Sequence, residues 1–286
     1  MKRQQHLATW LGTLLGTICA LMAAAHGADH GRLSELFQQT YTVSPATRIS
    51  LENINGGVHI TAWDRNEVKV DAVKYANSQK RLDEAKIQVV ATADLVSIRT
   101  EYVREEQTFS RKNDQDDPAS VEYTLMVPRG ARLDEIKLIN GPLEVEGVAG
   151  EVRASCINGA VALRRLPGRV RLSTVNSLLE AEFDRLSKDS AIELSSVNGP
   201  VQITLPSDAS AELEASTVHG AISNDFGARV HNHEWIGHDM RAELGGGETR
   251  IRLSNVNGTI EIRHANDGKS LSPAKDISKH SGDGEI

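Results

Sequence analysis

One short phrase recurs along this chain and limits what it can fold into. The template is apolar, Asn, Gly, any, apolar, any, apolar. Its copies occupy residues 53–60, 138–145, 156–163, 174–179, 196–203, 217–222 and 255–262. Ser196-Val197-Asn198-Gly199-Pro200-Val201-Gln202-Ile203 is a clear copy. Residues 174–179 carry Ser177 in place of Gly, and the sixth copy has His219 where the others have Asn. From Asn140 the central position steps by 18, 18, 22 and 21 residues, through Asn158, Asn176 and Asn198 to His219. A last step of 38 residues reaches Asn257, about two units. A period near 20 is too short for two helices and a turn, but it suits one coil of short strands.

The strands are legible without the repeat. Val170-Arg171-Leu172-Ser173, Ile192-Glu193-Leu194-Ser195 and Ile251-Arg252-Leu253-Ser254 alternate apolar and polar residues. Period two means one buried and one wet face. Asn and Gly tolerate the positive φ of a sharp change of direction. Between strands, Asn-Gly reads either as an antiparallel hairpin or as the corner of a stacked coil. The regular recurrence favours the corner, with Asn side chains hydrogen-bonded along a ladder of about 4.8 Å spacing. The expected fold is therefore all-β: a parallel β-solenoid, β-helix-like, of stacked short strands. Its less regular N-terminal part is also β-rich, with a helical look over residues 79–86.

Four segments follow from this reading: a signal peptide over 1–25, the N-terminal β-rich part over 40–130, the repeats over 131–264, and a disordered tail over 265–286. Lys2 and Arg3, the mostly apolar run 7–25 and Ala23-Ala24-Ala25 have the order of a secretory signal. Cleavage is expected after Ala25 or near Ala28; the competing reading is a membrane anchor. Cys19, preceded by Gly16-Thr17-Ile18, matches a lipidation box poorly. Cleavage leaves no stable membrane span and one cysteine, Cys156, which can form no internal disulfide and reads as a small core residue. The localisation expected is periplasmic or secreted. A net charge of −7 argues against nucleic acid as a partner.

The repeats resemble a known family. Val256-Asn257-Gly258-Thr259-Ile260-Glu261-Ile262, the lead-in Gly245-Gly246-Gly247-Glu248-Thr249-Arg250-Ile251-Arg252-Leu253 and the early Gly57-Val58-His59-Ile60-Thr61-Ala62-Trp63-Asp64 are similar to motifs of the putative-adhesin family of bacterial β-strand-repeat domains of unknown function. The resemblance spans roughly residues 45–264. It implies an envelope-facing, β-solenoid-like body and brings no catalytic residues with it. No C-terminal translocating barrel or cell-wall tail is evident in the sequence, which favours a soluble periplasmic protein.

His231, His233 and His238 with Glu234 and Asp239 are the densest ligand-like cluster, but their spacing matches no zinc signature. Asp114, Asp116 and Asp117 lack the pattern of a calcium loop and read as a solvated segment. Glu144, Glu146, Glu151, Glu180, Glu182 and Glu193 are outward carboxylates, and Arg153, Arg164, Arg165, Arg169 and Arg171 form a basic stretch. None stands out as an acid–base pair. The expectation is thus a non-enzymatic binding or scaffolding module with no catalytic, cofactor or metal residues. Its partner would be an envelope protein or a polysaccharide. The alternative is a β-helix enzyme acting on an anionic polysaccharide.

Overall fold

The computed structural model describes residues 32–103, 117–232 and 237–278. The chain opens with β1 (Leu33–Thr42), β2 (Arg48–Asn55), β3 (Val58–Trp63), β4 (Glu67–Ala76), the helix α1 (Gln79–Glu84), β5 (Ala85–Ala91), β6 (Leu95–Tyr102) and β7 (Ser120–Pro128). The regular middle comprises β8 (Arg132–Asn140), β9 (Leu143–Glu146), β10 (Val152–Asn158), β11 (Val161–Arg164), β12 (Val170–Asn176), β13 (Leu179–Glu182), β14 (Ala191–Asn198) and β15 (Val201–Leu205). The end adds β16 (Ala211–His219), β17 (Ile222–Asn224), β18 (His231–Asn232), β19 (His238–Leu244), β20 (Thr249–Asn257), β21 (Ile260–His264) and β22 (Ala274–Asp276).

These strands form two large, mostly parallel sheets. The first runs β1-β4-β7-β3-β9-β11-β13-β15-β21-β17, and the second β18-β19-β16-β20-β14-β12-β10-β8-β2-β6-β5. Every repeat joins a strand of the second sheet to one of the first, as in β8 to β9 or β12 to β13. The Asn-Gly step is therefore a corner between sheets, and the hairpin alternative fails. Gly159 shows why glycine stands there: its φ is +138°, and a Cβ would lie 2.1 Å from the Gly141 carbonyl oxygen of the rung beneath.

Side chains at corresponding positions stack in register. Asn140 lies beside Asn55, Asn158 beside Asn140, Asn176 beside Asn158, and Asn198 beside Asn176. The next neighbour corrects an expectation. Asn257, not His219, follows Asn198, and His219 lies beyond Asn257. The 38-residue step is not two further units. It holds β17 and the antiparallel strands β18 and β19, which cover the far side of β16. With that side covered, the last repeat occupies the slot between β14 and β16.

The N-terminal part is continuous with the repeats, since β2 pairs with β8 and β3 with β9. Outside them lies a rung formed by β6 and β7, and the antiparallel strands β1, β4 and β5 close that end. The helical expectation over 79–86 shortens to α1. The Ser78 hydroxyl accepts from the Arg81 N–H at 3.4 Å, and Leu82 is buried. Ala85 then begins β5.

The core lies between the sheets and is made of stacked Val, Ile and Leu. Tyr123 and Phe183 are its largest fully buried side chains. Another correction concerns the tail. Residues 265–278 are ordered, with β22 antiparallel to β19 and the Ser272 N–H donating to the Ser207 carbonyl at 2.8 Å. β22 pairs with the backbone groups of Ala242–Leu244 that β19 presents on the side away from β16. The signal over 1–25, Asp114, Asp116, His233, Glu234 and the last eight residues of the tail lie outside the described residues.

Candidate binding face

The outward surface of the second sheet is a set of columns generated by the repeat. Alternation fixes them. In β12, Val170, Leu172 and Thr174 point inward, so Arg171, Ser173 and Val175 point out. The same parity holds in the neighbouring rungs. Ile54, Ile139, Ile157, Val175, Val197, Val256 and Val218 then form one column, each 36–42% exposed. Seven rungs at strand spacing make it about 29 Å long.

Two polar columns flank it. Ser155, Ser173, Ser195, Ser254 and Ser216 are register neighbours on five consecutive rungs. On the other side stands the asparagine ladder. Each amide donates to the Oδ1 of the next: Asn140 to Asn55 at 3.0 Å, Asn158 to Asn140 at 2.9 Å, Asn176 to Asn158 at 3.0 Å, Asn198 to Asn176 at 2.9 Å and Asn257 to Asn198 at 2.9 Å. The ladder holds the corners in line and leaves each amide its second N–H. At its N-terminal end the apolar column enters a groove of about 650 Å³, bordered by Ile54, Ile139, Arg99, Glu101, Tyr102 and Lys137.

The template does not distinguish the outward Ile/Val position, because all its apolar positions look alike. The signal was present: counting back by twos from the corner separates the inward set from the outward one. The inward column also has polar members, Thr174, Ser196 and Asn255. Asn255 donates to the Gly199 carbonyl at 2.8 Å, while the hydroxyls of Thr174 and Ser196 have no hydrogen-bond partner in the structure.

The charged candidates do not converge on one place. Arg153 and Arg171 are outward neighbours on the second sheet, and each has a carboxylate: Glu151 at 2.7 Å and Glu193 at 2.8 Å. Hydrogen bonding and attraction from Glu193 raise the Arg171 pKa further. Arg164, Arg165 and Arg169 stand at or beyond the far end of β11, and Arg165 pairs with Glu146. On the first sheet Glu144 and Glu180 are two rungs apart with Ala162 between, and Glu146 and Glu182 flank Arg164 in register. Glu144 meets His59 at 2.9 Å. A corner recess of about 280 Å³ holds Arg129, Arg165, Arg185 and Asp184 around Leu166. Arg165 has the left-handed φ of 55° there.

Of the histidine cluster, His231 pairs with Asp276 at 3.0 Å and His238 with Asn232 at 2.6 Å, so the two point to different partners. No group of three or more His, Cys, Asp or Glu that could hold a metal occurs among the described residues. Asp117 is exposed at the start of the segment leading to β7. Cys156 is buried on the inward column, and burial pushes its thiol pKa up to about 12, far from the range of a reactive thiolate. No helix among the described residues is long and apolar enough to cross a membrane.

No protein-family model matches the chain, and neither does any curated protein. Solved structures do. The chain is similar to putative adhesins. A putative cell adhesion protein from Clostridium sporogenes ATCC 15579 is 10% identical, covering 81% of this chain and 100% of that one, with a TM-score of 0.43. A putative adhesin from Bacteroides fragilis NCTC 9343 is 13% identical over 80% of this chain and 97% of its own, with a TM-score of 0.39. A putative lipid binding protein from Parabacteroides distasonis ATCC 8503 is 9% identical over 81% and 97%, with a TM-score of 0.27.

Proposed function

We propose that this chain is an exported, adhesin-like binding module of the bacterial envelope, built as a β-solenoid, that holds an extended polysaccharide along the outward face of its second sheet. The observation carrying this reading is the column of seven Ile and Val side chains kept at the same outward position on seven rungs. Exposed apolar groups in one continuous line form a surface that gains from being covered. The serine and asparagine columns beside it supply hydroxyls and amide N–H groups at the same spacing. A glycan strand has the matching chemistry, with apolar C–H faces and polar edges. The basic, apolar, small-residue order of residues 2–25 supports export, and the mature chain is expected to begin near His26 or Asp29.

The test is cosedimentation with isolated envelope polysaccharide, comparing the protein with an Ile157→Lys/Val197→Lys variant. The proposal expects at least tenfold weaker binding with unchanged melting; equal binding by the variant overturns it. Mass spectrometry of the N-terminus in the native host tests export, and an intact Met1 start would overturn cleavage. A second reading, an enzyme acting on an anionic polysaccharide, draws on the corner recess, where three arginines surround one carboxylate, Asp184. Release of new reducing ends from a polyuronate, abolished by Asp184→Asn, would establish it in place of the first.

A further inference from the structure

The four outer edges of the two sheets are unequal. Strands at sheet edges present unpaired N–H and C=O groups, and proteins guard them with short length, lysine, proline, bulges or covering segments. At the C-terminal end the edge strands β17 and β18 have three and two residues. The Asn224 side chain also folds the chain after β17 inward, with bonds of 2.9 and 2.8 Å to the Ala228 carbonyl and N–H. At the N-terminal end β5 has seven residues and carries the exposed Lys86.

β1 has none of these guards. It runs for ten residues, Leu-Ser-Glu-Leu-Phe-Gln-Gln-Thr-Tyr-Thr, without Lys, Arg, Pro or Gly. Its register with β4 is unbroken from Leu33–Ala76 to Thr42–Glu67, so the strand has no bulge. On its other side no strand pairs with it among the described residues. Only Phe37 and Tyr41 are partly buried against the core, while Leu33 and Leu36 are 43% and 44% exposed. A strand so lightly packed is held mainly by one ladder, and every second residue offers its backbone groups outward.

We propose that β1 is a dimerisation edge, pairing antiparallel with β1 of a second copy about a two-fold axis, so that the first sheet runs unbroken through both protomers. Charge argues for a second copy. The chain as a whole is acidic, at −7, and copies repel one another over most of their surface. β1 has a single charge, Glu35, and Lys74 of the same chain neutralises it at 2.7 Å. With the axis at Gln38, so that the two Gln38 residues oppose each other, Glu35 faces Tyr41 of the other copy and never a second Glu35. Leu36 faces Thr40 and Ser34 faces Thr42, so no like charges oppose. A two-fold contact uses the same edge on both copies and closes at two, leaving no β1 edge free to propagate.

The test is the molar mass of the chain as the host processes it, measured by sedimentation over a hundredfold concentration range. A Gln38→Lys/Gln39→Lys variant is measured alongside, because it puts four like charges around the axis while altering only exposed positions. The proposal expects a reversible monomer–dimer equilibrium, shifted at least tenfold toward monomer in the variant, with the two proteins giving the same circular dichroism and melting. A monomer at all concentrations, a dimer indifferent to the substitutions, or open-ended growth beyond the dimer each overturns it. A monomer that instead takes up an added extended peptide on β1 would assign the edge to a different partner and equally overturn the dimer.

Discussion

At the scale of single residues, the corner glycines and the inward polar column are the points of greatest leverage. Gly199 has a φ of +122°, and a Cβ there would come within 2.3 Å of the Ser177 carbonyl oxygen, a backbone atom that cannot swing away. Gly199→Val therefore meets both a disfavoured dihedral and a clash. Destabilisation of roughly 3 kcal/mol is expected in denaturant titration, with the fold otherwise retained. The opposite sign is expected on β12, the strand beside β14. Thr174 is buried, its hydroxyl has no hydrogen-bond partner, and its neighbours on the inward column are Cys156 and Ser196, neither of which bonds to it. Valine has nearly the same shape without the polar atom. Thr174→Val should raise stability by about 1 kcal/mol, because a buried hydroxyl left unpaired carries its desolvation penalty uncompensated. A lower melting temperature in that variant would mean that the hydroxyl is satisfied in solution.

At the scale of elements, neighbouring strands are tied together on their wet faces by charge as well as by the backbone ladder. Glu214 on β16 receives Arg252 of β20 at 2.9 Å and Arg241 of β19 at 2.7 Å. Partial burial pushes its carboxyl pKa up. The two guanidiniums together outweigh that push and hold it below the ordinary 4.5. A carboxylate with a depressed folded pKa stabilises the fold above its unfolded value, and that contribution disappears as the pH falls through the folded value. Glu214→Gln should thus melt lower than the parent protein at neutral pH. The two melting temperatures should converge on acidification below about pH 4.5. A constant difference across that range would show that Glu214 acts by packing alone. The antiparallel strands β1, β4 and β5 at one end and β18, β19 and β22 at the other belong to the same scale. They cap a stack whose parallel rungs would otherwise end in bare edges.

For the whole molecule, the decisive feature is that chain order and spatial order differ at both ends. β6 and β7 lie outside β2 and β3, although they come later in the chain. β20 and β21 lie inside β16 and β17 at the other end. Contacts that close the stack are therefore long-range, and the last repeat acts as a wedge. Truncation after Glu248 would remove a terminal unit from a stack built in chain order, at little cost to its neighbours. Here it removes both β20, which joins β16 to β14, and β21, which joins β17 to β15. Loss of hydrogen-exchange protection is expected across residues 211–224 as well, with a lower melting temperature throughout. Protection of 211–224 surviving the truncation would contradict the interleaved order.

Strands, corners and the asparagine ladder follow from the order of amino acids alone. Each of these rests on local chemistry: period-two alternation chooses the buried face, glycine permits the corner, and identical residues at a near-constant period stack when the strands pair in parallel. The same alternation already held the outward column of Ile and Val for anyone counting parity. Which repeat sits beside which, the drawing of Ala274–Asp276 into a strand, and the cap inside the 38-residue step emerge only from the packed fold. The physical reason is that neighbouring rungs are nearly interchangeable in their side chains. Any Asn-Gly copy can stack on any other, so the order depends on which edges remain open once the antiparallel caps have formed. The scattered acidic and basic residues became interpretable for the same reason. Their partners, such as Glu214 with Arg252, lie one rung away in space and 38 residues away in the chain.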